Sequence, residues 1–197
     1  QGWFPWIFEQ CRISPGLRIL ELGCGDGTLW ADNLSLLPED ISITLSDISS
    51  GMLRDARRAI GSSDTRFAFR AFDCRKIPCK DESFDLVIAN HVLFYCDDIP
   101  SVLKEVRRVL APGGRFLCSA YGKAHMQEVS QLVQDFDERI VLSADRLYER
   151  FGRENGQSIL APFFPKAQWL SYEDCLLVQD AEPLISYVCL LYTSPSP

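Results

Sequence analysis

The sequence predicts an α/β fold: a mainly parallel sheet, doubly wound, with helices on both faces. Three observations carry this. Short apolar runs alternate with amphipathic stretches along the chain, the pattern of repeated βαβ units. One run, Phe84-Asp85-Leu86-Val87-Ile88-Ala89-Asn90, is nearly all apolar, as a strand covered on both faces requires. A glycine-rich turn, Gly23-Cys24-Gly25-Asp26-Gly27, lies directly between the first strand and the first helix. Glycines there permit positive φ and a close approach of backbone to a ligand.

The elements follow in order. Arg18-Ile19-Leu20-Glu21-Leu22, introduced by the turn pair Pro15-Gly16, is the first strand. Trp30, Leu34 and Leu37 recur at helical spacing, and Pro38 ends that helix. Ile41 to Leu45 alternates as a second strand, and Met52, Ala56 and Ile60 mark a helix stopped by Gly61. Phe67 to Ala71 is a third strand and Phe84 to Asn90 the fourth. Ile99, Val102, Leu103, Val106 and Leu110 stripe the next helix, which Ala111-Pro112-Gly113-Gly114 stops before a fifth strand at Arg115 to Ser119. Met126, Val129, Val133, Phe136 and Ile140 repeat at helical spacing, and Leu147, Tyr148 and Phe151 mark another helical piece. Residues 167–178 read as one long or broken strand, and Ala181 to Val188 as the start of a helix.

Composition narrows the function. The 197 residues suit one domain with a real core. With 20 basic against 27 acidic residues and a net charge of −7, nucleic acid is not an expected partner, because that affinity comes from Lys and Arg on phosphates. No apolar run is long enough to span a membrane, and no basic stretch precedes an apolar one as in a secretory leader. The eight cysteines are scattered without a C-x-x-C pair; this points to free thiols, a reducing cytoplasm and no zinc. The aromatic start at Trp3, Phe4 and Trp6 reads as the middle of something longer, and Cys189 to Pro197 resembles an in-frame translated sequencing adapter. Residues 1–188 are therefore expected to form one domain, with a core at 17–120 and a substrate-side helical region at 121–166. Residues 189–197 are expected to be a non-native tail, and the fold to be truncated at both ends, lacking its final strand.

Four motifs carry the chemistry. In the glycine turn, position 28 is Thr, so the spacing is G-x-G-x-G rather than the G-x-G-x-x-G of dinucleotide sites; a plain strand–helix turn is the alternative. Asp47 ends the second strand, where a carboxylate can accept from both hydroxyls of a ribose; capping the next helix is the alternative, with Ser49 and Ser50 nearer candidates. Phe72-Asp73-Cys74 follows the third strand, with a solvated loop acid as the alternative. Finally, Asp81-Glu82-Ser83-Phe84-Asp85-Leu86-Val87 runs into Asn90-His91, with Leu110-Ala111-Pro112-Gly113-Gly114-Arg115-Phe116 downstream.

Together these motifs resemble class I S-adenosylmethionine-dependent methyltransferases, whose fold is Rossmann-like. The match over 17 to about 120 is similar to the small-molecule group that includes ubiquinone- and menaquinone-biosynthesis enzymes, and the flanks are similar to bacterial members of it. The resemblance implies S-adenosyl-L-methionine as cofactor and a small-molecule methyl acceptor. Glu21, Gly23, Cys24, Gly25 and Gly27 then surround the methionine moiety. Asp47 takes the ribose, with Ile48 and Met52 beside it. Asp73 accepts from the adenine amino group while the Cys74 N–H reaches a ring nitrogen; Asn90 and His91 complete the site. His91 is the candidate general base, since it leaves the fourth strand where open α/β sheets bind ligands; His125 is expected to be exposed. Many relatives carry His where this chain has Tyr95, which withholds a catalytic role from that loop. No Asn-Pro-Pro-Tyr follows the fourth strand, against amino methylation of nucleic acid, and Pro78-Cys79 precedes that strand, the wrong side for a cytosine nucleophile. The other readings are a nicotinamide-dependent oxidoreductase, and a non-catalytic or fragmentary cofactor-binding domain.

Overall fold

A computed structural model describes residues 2–139, 146–175 and 177–193. Among them, five strands form one parallel sheet: β1 (Arg18–Leu22), β2 (Ser42–Asp47), β3 (Phe67–Ala71), β4 (Phe84–Ala89) and β5 (Leu110–Cys118), in the order β3-β2-β1-β4-β5. The chain winds outward from β1 to β3, then crosses back to place β4 on the other side of β1. This reversal is the topological switch point, and it lies between β1 and β4.

Period-two alternation builds two cores from the same strands. Ile19, Ile43, Leu45, Leu86 and Ile88 face one side, where they meet α1 (Trp3–Cys11), α2 (Thr28–Ala31) and α3 (Ser50–Ile60) through Ile7, Phe8, Leu29, Trp30, Leu53 and Ala56. Leu20, Leu22, Val87 and Ala89 face the other, against α4 (Ile99–Val109), α6 (Leu147–Arg150) and α7 (Gly156–Leu160). Helices thus cover both faces, as the nearly continuous apolar strands require.

Local chemistry sets the helix ends. Ser49 caps α3, its hydroxyl accepting from the Met52 N–H, and Gly61 ends it at φ 97°. Asp98 caps α4 by accepting from the Ser101 N–H. In α1, Pro5 sits in the first turn, where its missing N–H is one the helix could not have bonded. Sequence periodicity did not find α1, because aromatic residues occupy both of its faces.

Four expectations are corrected. The helix expected through Trp30, Leu34 and Leu37 is cut into α2 and a 3₁₀ turn at Leu34–Leu36. The Asn33 side chain takes the Leu29 carbonyl at 2.7 Å while its N–H bonds Trp30 instead, tightening the turn. The helix before the fifth strand ends at Val109, and strand pairing begins at Leu110, five residues early. Pairing jumps from Phe84–Leu110 to Leu86–Arg115, so Ala111 to Gly114 form a bulge, with Gly113 at φ 80°. The described part of residues 167–178 is irregular rather than strand. There Tyr172 packs on Trp3 and Trp6 at 5.3 and 5.1 Å, so side-chain contacts with α1 hold the segment rather than a ladder. The helix at Ala181 continues to Thr193 as α8, five residues beyond Val188. α5 (Gln127–Phe136) lies where helical spacing placed it; Ile140 falls outside the described residues.

The motif acid Asp85 has a structural task. Both its oxygens hold Arg18, with Nη2 to Oδ1 at 2.8 Å and the backbone N–H to Oδ2 at 2.9 Å. This pins the start of β1 to β4, at the end of the sheet remote from the glycine turn.

Among the described residues Glu21 is the one buried acid, 2% exposed, and its Oε2 accepts from Trp30 Nε1 at 2.6 Å. Burial pushes its carboxyl up to about 8, outweighing the Trp30 hydrogen bond, and the charge of Asp47 adds to the rise. The folded chain therefore keeps a proton that the unfolded chain releases near its ordinary value of 4.5. Stability from this group is complete below pH 4.5 and is lost as pH rises toward about 8. His91 acts oppositely: burial pushes it from 6.5 down to about 4, so its contribution grows with pH between those values. Glu21 thus dominates this pair between pH 6.5 and 8. Relative to Glu21→Gln, the native chain should lose about 1 kcal/mol per pH unit over that window, the slope falling toward about half its full value as Glu21 titrates near pH 8. Urea unfolding at pH 6.5, 7.2 and 8 checks this; parallel stability curves for the two proteins would contradict it.

Candidate cofactor and acceptor site

The sequence-selected residues come from the ends of four adjacent strands and gather at the carboxyl edge of the sheet. The glycine turn leaves β1 at the switch point with Gly23, Gly25 and Gly27 at φ 64°, 56° and 78°. Gly23 admits Val92 from the chain leaving β4: a Cβ there would lie 2.5 Å from Val92 Cγ2. Gly27 admits α3, since a Cβ would meet Ala56 Cβ at 2.9 Å. A Cβ on Gly25 would meet nothing within 4 Å, so the space over the middle glycine is open.

Asp47 holds this turn in place. Its Oδ2 accepts from the Gly25 N–H at 3.1 Å and its Oδ1 from the Ser49 N–H at 2.8 Å. The Cys24 N–H bonds the Ser46 carbonyl at 2.9 Å, and the Ser46 hydroxyl donates to the Glu21 carbonyl at 2.8 Å. The ends of β1 and β2 are thereby tied together. The helix cap falls to Ser49, so Asp47 is not the cap. Beside it Ile48 is 78% and Met52 46% exposed, two apolar side chains left uncovered next to the carboxylate. Cys24 is buried, and burial raises its thiol above the ordinary range. Glu21 lies below the turn in the core, with one oxygen engaged by Trp30.

After β3, Asp73 binds its own turn. Its oxygens accept from Arg75 Nε at 2.9 Å and Nη2 at 2.6 Å, and from the Arg75 N–H at 2.8 Å. The Arg75 guanidinium holds the carboxyl below the usual range. Cys74 places its sulfur 3.5 Å from that of Cys96.

After β4, Ser119 at the end of β5 organises two residues. Its hydroxyl donates to Asn90 Oδ1 at 2.7 Å and accepts from the His91 N–H at 2.9 Å. His91 has φ 56°. Its ring stands 4.9 Å from Trp3, 6.1 Å from Phe94 and 6.3 Å from Tyr121. This apolar surrounding, and secondarily the charge of His125, depresses its pKa to about 4, so the ring is neutral at pH 7. His125 is exposed, with its ring stacked on Tyr121 at 4.8 Å.

Sequence reading placed Trp3 over the site but missed Ser119, Val92, Arg75 and the aromatic partners Tyr121 and Tyr172. Arg75, two residues after Asp73, was in principle legible as a local pair. Ser119 and Tyr172 reach the site only through the fold and leave no local signal.

Known proteins fit this geometry. A family model described as a methyltransferase domain matches residues 20–118. The chain is 33% identical over 120 residues to a demethylmenaquinone methyltransferase of Symbiobacterium thermophilum, covering 60% of this chain and 48% of that protein. It is 32% identical over 124 residues to a malonyl-[acyl-carrier protein] O-methyltransferase of Erwinia pyrifoliae, covering 63% and 45%. A solved structure of an S-adenosylmethionine dependent methyltransferase from Mesorhizobium loti is 30% identical with a TM-score of 0.53, covering 64% of this chain and 56% of that one. The chain spans less than half the length of these two curated relatives. The family match covers half of the chain and runs from within β1 to the last residue of β5, and the chain belongs to the methyltransferase domain family.

Proposed function

We propose that this chain transfers a methyl group from S-adenosyl-L-methionine to a small-molecule acceptor. The observation that carries the reading is the open space over Gly25, in a turn clamped by Asp47 at the switch point. A ligand can meet the backbone there without displacing a side chain. The names of the two curated relatives, a demethylmenaquinone methyltransferase and a malonyl-[acyl-carrier protein] O-methyltransferase, support a small acceptor group, a quinone or an acyl group on its carrier protein. The net charge of −7 favours it over nucleic acid. Among the described residues no helix is long and apolar enough to cross a membrane. The free cysteines support a place in the cytoplasm.

The residues fit the cofactor by type and position. Gly23, Cys24, Gly25 and Gly27 would hold the methionine moiety by backbone contact, while Asp47 would accept from the ribose hydroxyls with Ile48 and Met52 covering the apolar side. Asp73, once released from Arg75, and the Cys74 N–H would hold the adenine. Glu21 supports the turn from below, and Asn90, held by Ser119, borders the methyl-transfer space. The bound sulfonium supplies a methyl group already activated for displacement. The chain's share is to align the acceptor and exclude water. His91 presents a neutral imidazole in an apolar wall. With its pKa near 4 it is a weak base at pH 7, so its main task is to shape and dry the acceptor side.

Calorimetry should show binding of S-adenosylmethionine and its demethylated product, and none of NAD. Binding of NAD alone would overturn the assignment. Asp47→Ala should weaken cofactor binding by about 1.5–3 kcal/mol, the range for lost hydrogen bonds to a charged group. An unchanged dissociation constant would remove Asp47 from the ribose contact.

A further inference from the structure

Two thiols at the rim of the site have no part in methyl transfer. Cys74 lies in the turn after β3, and Cys96 closes the 3₁₀ turn at Leu93–Tyr95 after β4. They are 22 residues apart in sequence, yet their sulfurs are 3.5 Å apart, and both side chains are partly exposed. Each belongs to a loop that shapes the site. Cys74 adjoins Asp73, whose carboxylate is bound by Arg75. The Cys96 sulfur lies 3.7 Å from the Val92 carbonyl oxygen, and Val92 is the side chain that fills the space beside Gly23.

We propose that Cys74 and Cys96 are an oxidative modification site, forming a reversible disulfide that ties the Asp73 turn to the Val92 loop and lowers affinity for S-adenosylmethionine. The bond itself follows from the sulfur geometry; its effect on affinity rests on the cofactor assignment made above.

The chemistry balances with a low-molecular-weight disulfide such as oxidised glutathione. Cys74 is the attacking thiol, because the hydrogen bond between the two sulfurs holds it below the ordinary thiol range, against burial and the Asp73 charge and with a smaller help from Arg75. Its sulfur attacks the oxidant, one glutathione thiolate leaves, and a mixed disulfide remains. Cys96 then attacks the Cys74 sulfur, giving up its proton and expelling the second glutathione. Two protein thiols are oxidised and one small disulfide is reduced to two thiols. Closing the sulfurs from 3.5 Å to the bond length of about 2.05 Å draws the two loops together. It also holds the turn in the form where Asp73 is bound to Arg75, and the carboxylate must leave Arg75 to accept from an adenine.

The test uses the chain with Cys175→Ser and Cys189→Ser, which removes the two exposed thiols. After treatment with oxidised glutathione, peptide mapping should find a Cys74–Cys96 link. The dissociation constant for S-adenosylmethionine should rise about five- to tenfold or more, the scale of an ordinary coupling between sites, and dithiothreitol should restore it. Cys96→Ser should bind like the reduced protein and should not respond to oxidant. A different pairing, no link under conditions that oxidise the unfolded chain, or a link with unchanged affinity would overturn the proposal. If the reduced protein binds no S-adenosylmethionine, the cofactor assignment fails and the affinity effect with it, while mapping still decides whether the bond forms.

Discussion

The site depends on one carboxylate. Asp47 stands at the end of β2 and accepts from Gly25 in the turn after the neighbouring β1 and from Ser49 in its own loop. Glycine turns are entropically costly to order, and this one has no side chain at its midpoint to pack. Two charge-assisted hydrogen bonds, with the Cys24–Ser46 backbone contact, supply what packing does not. The turn is thereby fixed in a conformation open above Gly25, and a ligand meets amides that are already oriented.

The arrangement beneath it is matched to that task. Alternation along β1 sends Leu20 and Leu22 to one core and Ile19 and Glu21 to the other. Glu21 therefore lies under the turn, and the only described partner of its Oε2 is Trp30, the largest fully buried side chain. A carboxylate there faces a strong desolvation cost, worsened by Asp47 nearby. Glu21 is held protonated under the turn, while Asp47 at the rim accepts from the Gly25 and Ser49 N–H groups. The two acids thus have different environments and different tasks, although both come from strand ends that read alike in sequence.

Much of this was legible in the sequence. The five parallel strands follow from apolar alternation, and the glycine spacing and Asp47 fall at one edge of the sheet because their strand-end positions are local features. What escaped was what depends on tertiary contact. The partners of Trp3 and Trp6, His91 and Tyr172, lie 88 and 166 positions further along the chain, where no local pattern reaches. The described part of residues 167–178 had strand-like residue types but is irregular, its Tyr172 packed on Trp3 and Trp6 of α1. Asp73 was read as aimed at a ligand, and its carboxylate is bound by the neighbouring Arg75, a local pair that the motif concealed.

The most direct measurement is amide hydrogen exchange, residue by residue, in the ligand-free chain and in Asp47→Ala. Exchange at Gly25 and Ser49 should accelerate about tenfold or more in the variant, as expected when hydrogen bonds worth ~1.4 kcal/mol or more are lost locally. The amides within β1 and β4 should keep their protection. Unchanged exchange at Gly25 would show that the turn is held without Asp47 and would contradict the account.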